Sequence, residues 1–205
     1  MFEIEDLTPT DRIIRKERGN DDQVLFSNFL VGNWSLFADG YKLAADLLVD
    51  QVEGNPSEDC LIAPILFLYR HWVELKLKEL ILSLKLFSVV EINRPNHHRL
   101  YALWFIVKSN LHCLRDSNNR DFILLDARIK ELDGFDPGER FRYPVNTSSE
   151  ITELPESLGI NNLKDTMDKI NNAFGLIDGG MDCEAEGRAL DAELVAEMRT
   201  YSNRE

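Results

Sequence analysis

The sequence lacks the cysteine pattern of a disulfide-stabilised or zinc-binding protein. Its three cysteines, Cys60, Cys113 and Cys183, are odd in number, lie far apart and include no C-x-x-C pair. Disulfide frameworks and structural zinc sites both need paired or closely spaced thiols. We therefore expect neither of them, and a reducing compartment fits this composition best.

Long hydrophobic runs are also missing. No stretch reaches the roughly 18 uninterrupted apolar residues of a membrane-spanning helix. Residues 1–22 have mixed charge and no apolar segment of the signal-peptide kind. We therefore predict a cytoplasmic protein with no membrane partner and a polar N-terminal arm over residues 1–22.

Basic residues are scarce relative to acidic ones. The chain has 23 Lys and Arg against 36 Asp and Glu, which gives a formal net charge of −13. From Glu150 onward 13 acidic residues accompany only 5 basic ones, so the acidity is greatest in the last third. Such a field repels nucleic-acid phosphates at long range. RNA is a predicted ligand only where positive charge is concentrated locally.

Most signatures of catalysis and ligand binding are absent. The four histidines, at positions 71, 97, 98 and 112, lack the i,i+4 spacing by which one helix offers two metal ligands, and no H-E-x-x-H or EF-hand pattern occurs. Neither glycine-rich phosphate motif is present, and no G-x-S-x-G or catalytic cysteine signature is found. We predict no bound metal and no cofactor.

What the sequence does contain is helical periodicity. Apolar residues recur at three- and four-residue steps in several segments, which is the pattern of amphipathic α-helices. The longest segment, Leu61 to Phe87, is apolar around most of its circumference and would be about 40 Å long. The predicted fold class is therefore an all-α antiparallel helical bundle around a long central helix. The surrounding helices are predicted at residues 33–52, 100–114, 119–132, 161–177 and 184–201.

Glycine, proline and asparagine predict where these helices begin and end. We expect Asn33 to cap the first helix, Gly134 to end the fourth and Gly179-Gly180 to end the fifth. Phe141-Arg142-Tyr143-Pro144 is expected to be extended, because Tyr143 precedes a proline, and to pack its aromatic rings on the bundle. The predicted division is an arm at 1–22, a bundle domain at 23–178 and an acidic C-terminal helix at 179–205.

The predicted acidic helix has only a thin apolar seam, formed by Leu190, Leu194 and Tyr201. Such a seam suits weak packing on the chain's own bundle or contact with a partner, and the sequence leaves both readings open.

One narrow polar strip marks the central helix. At 100° per residue Arg70, His71, Glu74 and Lys78 fall on the same side. The interpretation we favour is structural: Arg70 with Glu74 and Glu74 with Lys78 are i,i+4 ion pairs on a solvated helix face.

A functional interpretation of the same strip adds two residues from neighbouring segments. An Arg can clamp a phosphate through two hydrogen bonds, a His can transfer a proton near neutral pH, and a Glu can orient the imidazole. The candidate site residues are Arg70, His71, Glu74, His98 and Arg142.

Several motifs resemble those of a family of uncharacterised bacterial all-helical proteins. Trp34 to Leu48 has the form W-x-x-F-x-x-G-Y-x-x-A-A-D-L-L, and Pro64 to Leu80 reads P-I-L-F-L-Y-R-H-W-V-E-L-K-L-K-E-L. His98-x-x-x-x-Leu103-Trp104 and Phe141-Arg142-Tyr143-Pro144 resemble later motifs of that family. The resemblance covers about residues 33–175 and implies no particular activity.

A more distant resemblance is to HEPN domains, small helical bundles with an L-K-x-L helix, a histidine opening the next helix and a later R-Y-P. The matching residues here are Leu77-Lys78-Glu79-Leu80, His98 and Arg142-Tyr143-Pro144. The resemblance implies a HEPN-like core, a homodimer and, in many members, metal-independent RNA cleavage. Active members have four to six residues between an Arg and the following His, whereas here three residues separate Arg94 from His98.

Because that spacing is missing and the chain is acidic, we predict a non-catalytic helical binding or assembly module of a bacterial accessory or defence-type system. Its predicted partner is a second copy or another protein. The alternative is an enzyme that cleaves RNA or handles nucleotides with the five candidate residues, and RNA is a partner only under that alternative.

Overall fold

The predicted all-α class is confirmed. The computed structural model describes residues 33–52, 56–87, 95–111, 120–136, 138, 140–143 and 157–202, which include no strand. The predicted arm at 1–22 lies outside these residues. The helices are α1 (Trp34–Val52), α2 (Ile62–Phe87, preceded by a 3-10 helix at Pro56–Leu61), α3 (Leu100–Asn110), α4 (Arg120–Phe135) and α5 (Ile160–Ser202).

The central position predicted for the long apolar helix is also confirmed, because α2 contacts α1, α3 and α5. Its buried apolar residues occur on every turn and include two large rings, Tyr69 and Trp72, that are fully inaccessible to solvent. Burying one large apolar side chain stabilises the folded state by roughly 1.5–3 kcal/mol. The buried apolar residues of α2 are Ile65, Leu66, Tyr69, Trp72, Val73, Leu77, Leu80, Ile81 and Leu84.

Ion pairs between α1 and α5 show that these two helices run in opposite directions. Lys42 of α1 contacts Asp168, at 2.5 Å, whereas Asp50, two turns further along α1, contacts Lys164, one turn earlier in α5. The inward stripe predicted for this part of α5 is confirmed, since Phe174 is 1% exposed and its ring lies 6.1 Å from that of Trp72. The first half of α5 is therefore part of the bundle.

Asp133 of α4 takes the place of the missing side-chain cap at the start of α3. Arg99 occupies the N-cap position without capping through its own side chain. The buried Asp133 carboxylate instead accepts hydrogen bonds from the Leu100 amide, at 2.8 Å, and from the Arg99 guanidinium, at 3.0 Å. Since the start of α3 meets the end of α4, these helices are antiparallel.

The predicted cap at Asn33 is confirmed, but two predicted helix ends are wrong. The Asn33 side chain accepts a hydrogen bond from the Leu36 amide at 3.1 Å. Gly134 lies within α4, and α5 continues through Gly179-Gly180 to Ser202. Glycine weakens a helix interior by about 1 kcal/mol, and the burial of Met181 directly after the pair favours continuation. The predicted boundary at 178/179 therefore falls inside one helix.

Smaller differences concern individual positions. The last long helix begins at Ile160, slightly before the predicted asparagine cap. The apolar periodicity of the first helix includes Phe37 and so predicts that it faces inward, but Phe37 is 51% exposed and α1 buries Ala38 instead. Phe141 and Arg142 lie in a turn rather than in an extended segment. Position 114, the predicted end of α3, lies outside the described residues.

Candidate functional site

Three of the five candidate residues meet around one buried carboxylate. Glu74 accepts from the Arg70 guanidinium at 3.0 Å through Oε2. Its other oxygen contacts Lys78 Nζ at 2.7 Å and the Nδ1 atom of His98 at 2.7 Å. Arg70 and Glu74 are each 1% exposed. The ion pairs predicted within α2 are therefore confirmed, but the prediction that they lie on a solvated face is wrong.

Asp136, directly after α4, completes this buried cluster and was not among the predicted residues. Its carboxylate lies 3.3 Å from Arg70 Nε, and its main-chain carbonyl accepts from the same nitrogen at 3.2 Å. Arg70 Nη2 donates to the carbonyl of His98 at 2.5 Å. All three guanidinium nitrogens thus have acceptors within the protein. We call Arg70, Glu74, Lys78, His98 and Asp136 the polar cluster.

A tight turn after α4 holds Asp136 in place. Its side chain accepts from the amides of Gly138, at 2.7 Å, and Arg140, at 3.0 Å. Gly138 has a φ of 126°, which disfavours residues with a side chain. A Cβ atom there would lie 3.3 Å from Arg70 Nη2, so glycine also allows the turn to approach the guanidinium closely.

The charges of the polar cluster compensate one another. Burial by itself would raise the pKa of Glu74, but hydrogen bonds from Lys78, His98 and Arg70 lower it to about 2. Glu74 is therefore ionised at neutral pH. Two carboxylates, Glu74 and Asp136, accompany two cations, Arg70 and Lys78. Removing one partner of a buried ion pair commonly costs about 3–5 kcal/mol, because the remaining charge stays buried without compensation.

His98 is the member of the polar cluster that solvent reaches. Its side chain is 56% exposed, whereas that of Glu74 is 1% exposed. Because an ionised carboxylate can only accept, the Nδ1 atom carries the hydrogen in the pair, and the Nε2 atom of neutral His98 carries the lone pair. This arrangement orients an accessible imidazole as a proton acceptor.

His71 and Arg142 lie outside the polar cluster, which corrects the prediction of a single five-residue site. The His71 ring stacks on Phe67, with centroids 5.7 Å apart, and meets the Tyr41 ring edge-on at 4.5 Å. The Arg142 guanidinium lies 5.5 Å from the Phe67 centroid. Burial lowers the pKa of His71, and its Nδ1 atom has no hydrogen-bond partner. These residues form an aromatic stack rather than a proton relay.

The packing predicted for the segment from Phe141 to Pro144 is confirmed at its first ring. Phe141 is 8% exposed and packs on Phe135 with centroids 5.4 Å apart. Tyr143 is 61% exposed, so its ring does not lock the segment on the bundle.

An apolar depression between α4 and α5 was not predicted. Two adjoining cavities of about 310 Å³ and 450 Å³ share Arg128, Thr166 and Ile170 in their walls. The exposed side chains Leu124 and Leu176 line the second cavity. The helical periodicity of both elements had indicated only their buried stripes. We call this depression the α4–α5 groove.

The second half of α5 does not pack on the bundle through the side chains that the structure describes. Among the α5 side chains that the structure describes, Met181, at 3% exposure, is the last buried one, and Leu190 is 66% exposed. Asp182, Cys183, Glu186, Gly187, Ala189, Asp191 and Glu193 are also exposed. Of the two interpretations left open by the sequence, packing on the chain's own bundle is not seen at these described positions.

Neither a metal centre nor a membrane span occurs in the part of the chain that the structure describes: no group of three or more His, Cys, Asp or Glu could hold a metal ion, and no helix there is long and apolar enough to cross a bilayer. Comparisons with protein-family models, with curated proteins and with solved structures each gave no match.

Proposed function

We propose that this chain is a non-catalytic helical assembly module that binds protein partners through α5 and the α4–α5 groove. The observation that carries the proposal is the exposure of large apolar side chains along α5, with Leu176 at 79% and Leu190 at 66%. Leu176 lies in the wall of the α4–α5 groove together with the exposed Leu124, and exposed apolar side chains that line an open groove are characteristic of interaction sites.

The polar cluster supports a structural role for the residues that first indicated catalysis. An Arg that binds a substrate phosphate needs accessible donors on its guanidinium. Arg70 is 1% exposed, and each of its three guanidinium nitrogens already donates to an acceptor in the protein: Glu74, the carbonyl of Asp136 or the carbonyl of His98. Binding a phosphate there would break a buried, compensated network. The cluster therefore serves to fasten the turn after α4 to the central helix.

Site-specific photo-crosslinking in the native cells tests the assembly function. A photoreactive residue at Leu176 should give a reproducible covalent adduct with one protein species, whether a second copy or another chain. Ala127, an exposed position on α4, is the matched control. Equal adduct yields from the two positions would remove the basis of the proposal.

A second candidate function, the cleavage of RNA, is favoured by the pair of His98 and Glu74. An accessible imidazole held by a buried carboxylate is a suitable general base, and the neighbouring Arg99 side chain is 58% exposed. The HEPN resemblance points to the same chemistry. Metal-free incubation with mixed RNA tests it: cleavage that His98→Ala abolishes and His97→Ala preserves would replace the assembly function, whereas intact RNA would remove the candidate.

A further inference from the structure

Helix α5 has two apolar stripes on different sides. The inner stripe faces the bundle core and contains Ile170, Phe174, Ile177 and Met181, each at most 5% exposed. At 100° per residue, a second stripe lies about 130° away around the helix. It consists of Leu176, Gly180, Cys183, Gly187 and Leu190, and we call it the outer seam.

The spacing of the outer seam is that of a coiled coil. Its members follow one another at steps of four, three, four and three residues. The sequence continues these steps to positions 194, 197 and 201, which are Leu, Glu and Tyr, so the continuation is apolar except at 197. A repeat of 3.5 residues keeps one stripe facing a partner helix along its whole length, whereas a helix packing on a globular core follows 3.6. The seam thus extends from the bundle almost to the end of α5.

The helix beyond the bundle needs a partner to be stable. Residues 182–202 continue α5 for about 31 Å past the buried Met181. Gly187 lies in this region and Gly180 just before it, and glycine is the poorest helix former after proline. Helices in water depend on packing of their apolar face, and the described seam residues at this end, Cys183, Gly187 and Leu190, are exposed.

We propose that the outer seam pairs with the outer seam of a second copy, the two helices running in opposite directions. This inference rests on the proposed assembly function and names its partner. The intervals of four and three residues between seam positions are the same from either end of the helix. The seam positions of two antiparallel helices can therefore lie opposite one another.

The sizes of the seam residues favour the antiparallel direction. In the matching register Gly187, Cys183 and Gly180 face positions 190, 194 and 197 of the second copy, which are Leu, Leu and Glu in the sequence. Each small residue thus meets a larger one, as close packing requires. In a parallel pair Gly180 and Gly187 would each face the same glycine and leave gaps.

This register also leaves room for both bundles. Met181 of the second copy would lie level with residue 196 of the first, about 22 Å beyond the first copy's own Met181. Position 201 of the second copy would lie beside Leu176, at the edge of the α4–α5 groove. Each bundle therefore contacts the end of the other chain's α5.

The charges beside the seam predict a salt dependence that distinguishes self-pairing from binding to a basic partner. Positions 184, 186, 191 and 193 flank the seam and are all acidic in the sequence. In a self-pair they face acidic residues, so added salt screens repulsion and should strengthen the association. A complex with a basic helix would weaken in salt.

Sedimentation velocity of the full chain tests the pairing. We expect a monomer–dimer equilibrium that strengthens with salt, and a dissociation constant at least tenfold higher for Leu190→Asp. Ala189→Asp adds the same charge to the neighbouring, exposed position off the seam and should change it far less. A chain that stays monomeric at high salt, or a dimer that both variants affect equally, would overturn the inference.

A distance measurement tests the direction independently of any destabilising variant. Spin labels introduced at Asn172 through a bio-orthogonal residue should lie about 50 Å apart in the antiparallel register. In that register the two labelled positions are offset along the helix axis by the length of 33 helical residues. In a parallel pair they would lie level, on axes roughly 10 Å apart, and the proposal would be wrong.

Failure of this inference and failure of the assembly function give different results. A monomer whose Leu176 photoadduct contains another protein would exclude the self-pair but retain the assembly function. A dimer that Leu124→Asp dissociates and Leu190→Asp does not would place self-association in the groove instead of the seam. Neither dimer nor adduct would exclude both proposals.

Discussion

Replacing Glu74 by Gln should destabilise the fold by an amount that depends on pH. Glu74 has a pKa of about 2, against 4.5 for an unperturbed glutamate. A pKa difference of this size corresponds to about 3 kcal/mol of stability at neutral pH. Because the folded-state pKa is the lower one, this stability is fully present above 4.5 and is lost as the pH falls towards 2. Gln resembles the protonated glutamate, so the variant lacks it at every pH.

Urea unfolding of the wild type and Glu74→Gln at a series of pH values measures the effect. The difference in unfolding free energy should be about 3 kcal/mol at pH 7 and should shrink below pH 4.5. Glu79→Gln is the matched control, because Glu79 pairs with Lys76 on the same helix but keeps 19% of its side chain exposed; it should cost less than about 1 kcal/mol.

Two results would refute the reasoning about Glu74. Equal destabilisation by Glu74→Gln and Glu79→Gln would mean that burial of the polar cluster adds nothing to an ordinary helix pair. A difference that stays constant between pH 7 and pH 3 would mean that hydrogen-bond geometry, not charge, accounts for the loss.

Three further substitutions test the turn, the helix interior and the cap. Gly138→Ala should lower the unfolding free energy by about 1–3 kcal/mol, because φ is 126° and the new Cβ would lie 3.3 Å from Arg70 Nη2; an unchanged urea midpoint would contradict this. Gly134→Ala should instead raise the unfolding free energy by about 0.5–1 kcal/mol, since the site is helical and a Cβ there would have nothing within 4 Å; a lower unfolding free energy would restore Gly134 as a cap. Asp133→Ala should cost about 1–3 kcal/mol by leaving the buried Leu100 amide without its acceptor, and slower amide exchange at Leu100 would argue against that role.

Periodicity predicted the helices well because each amphipathic stripe is a local property of its own segment. The α2 core, the inward faces of α3 and α4, and the cap at Asn33 all follow from residues within one or two helical turns of each other. Helix ends at glycine were harder to predict, since continuation through Gly179-Gly180 depends on whether Met181 finds a core to pack on.

The candidate site shows the limit of local patterns more clearly. The spacing of Arg70 and Glu74 predicted their ion pair, but its burial depends on Asp136, which lies 66 residues later in the chain. The sequence around Asp136 predicts only a turn. It does not indicate that the Asp136 carboxylate contacts the Arg70 guanidinium. A helical wheel shows which residues share a face of the helix. Whether solvent reaches that face depends on the packing of segments that are distant in the sequence.

The buried network also limits what a catalytic role could use. Arg70 and Lys78 are compensated by Glu74 and Asp136, so a phosphate near His98 would have to be held by other cations. Arg99 is nearest in the chain, but its guanidinium pairs with Asp133. An RNA-cleaving site that used Arg70, Lys78 or Arg99 to hold the phosphate would therefore have to break one of these ion pairs. The antiparallel α5 pair proposed above would add acidic residues rather than cations to each copy.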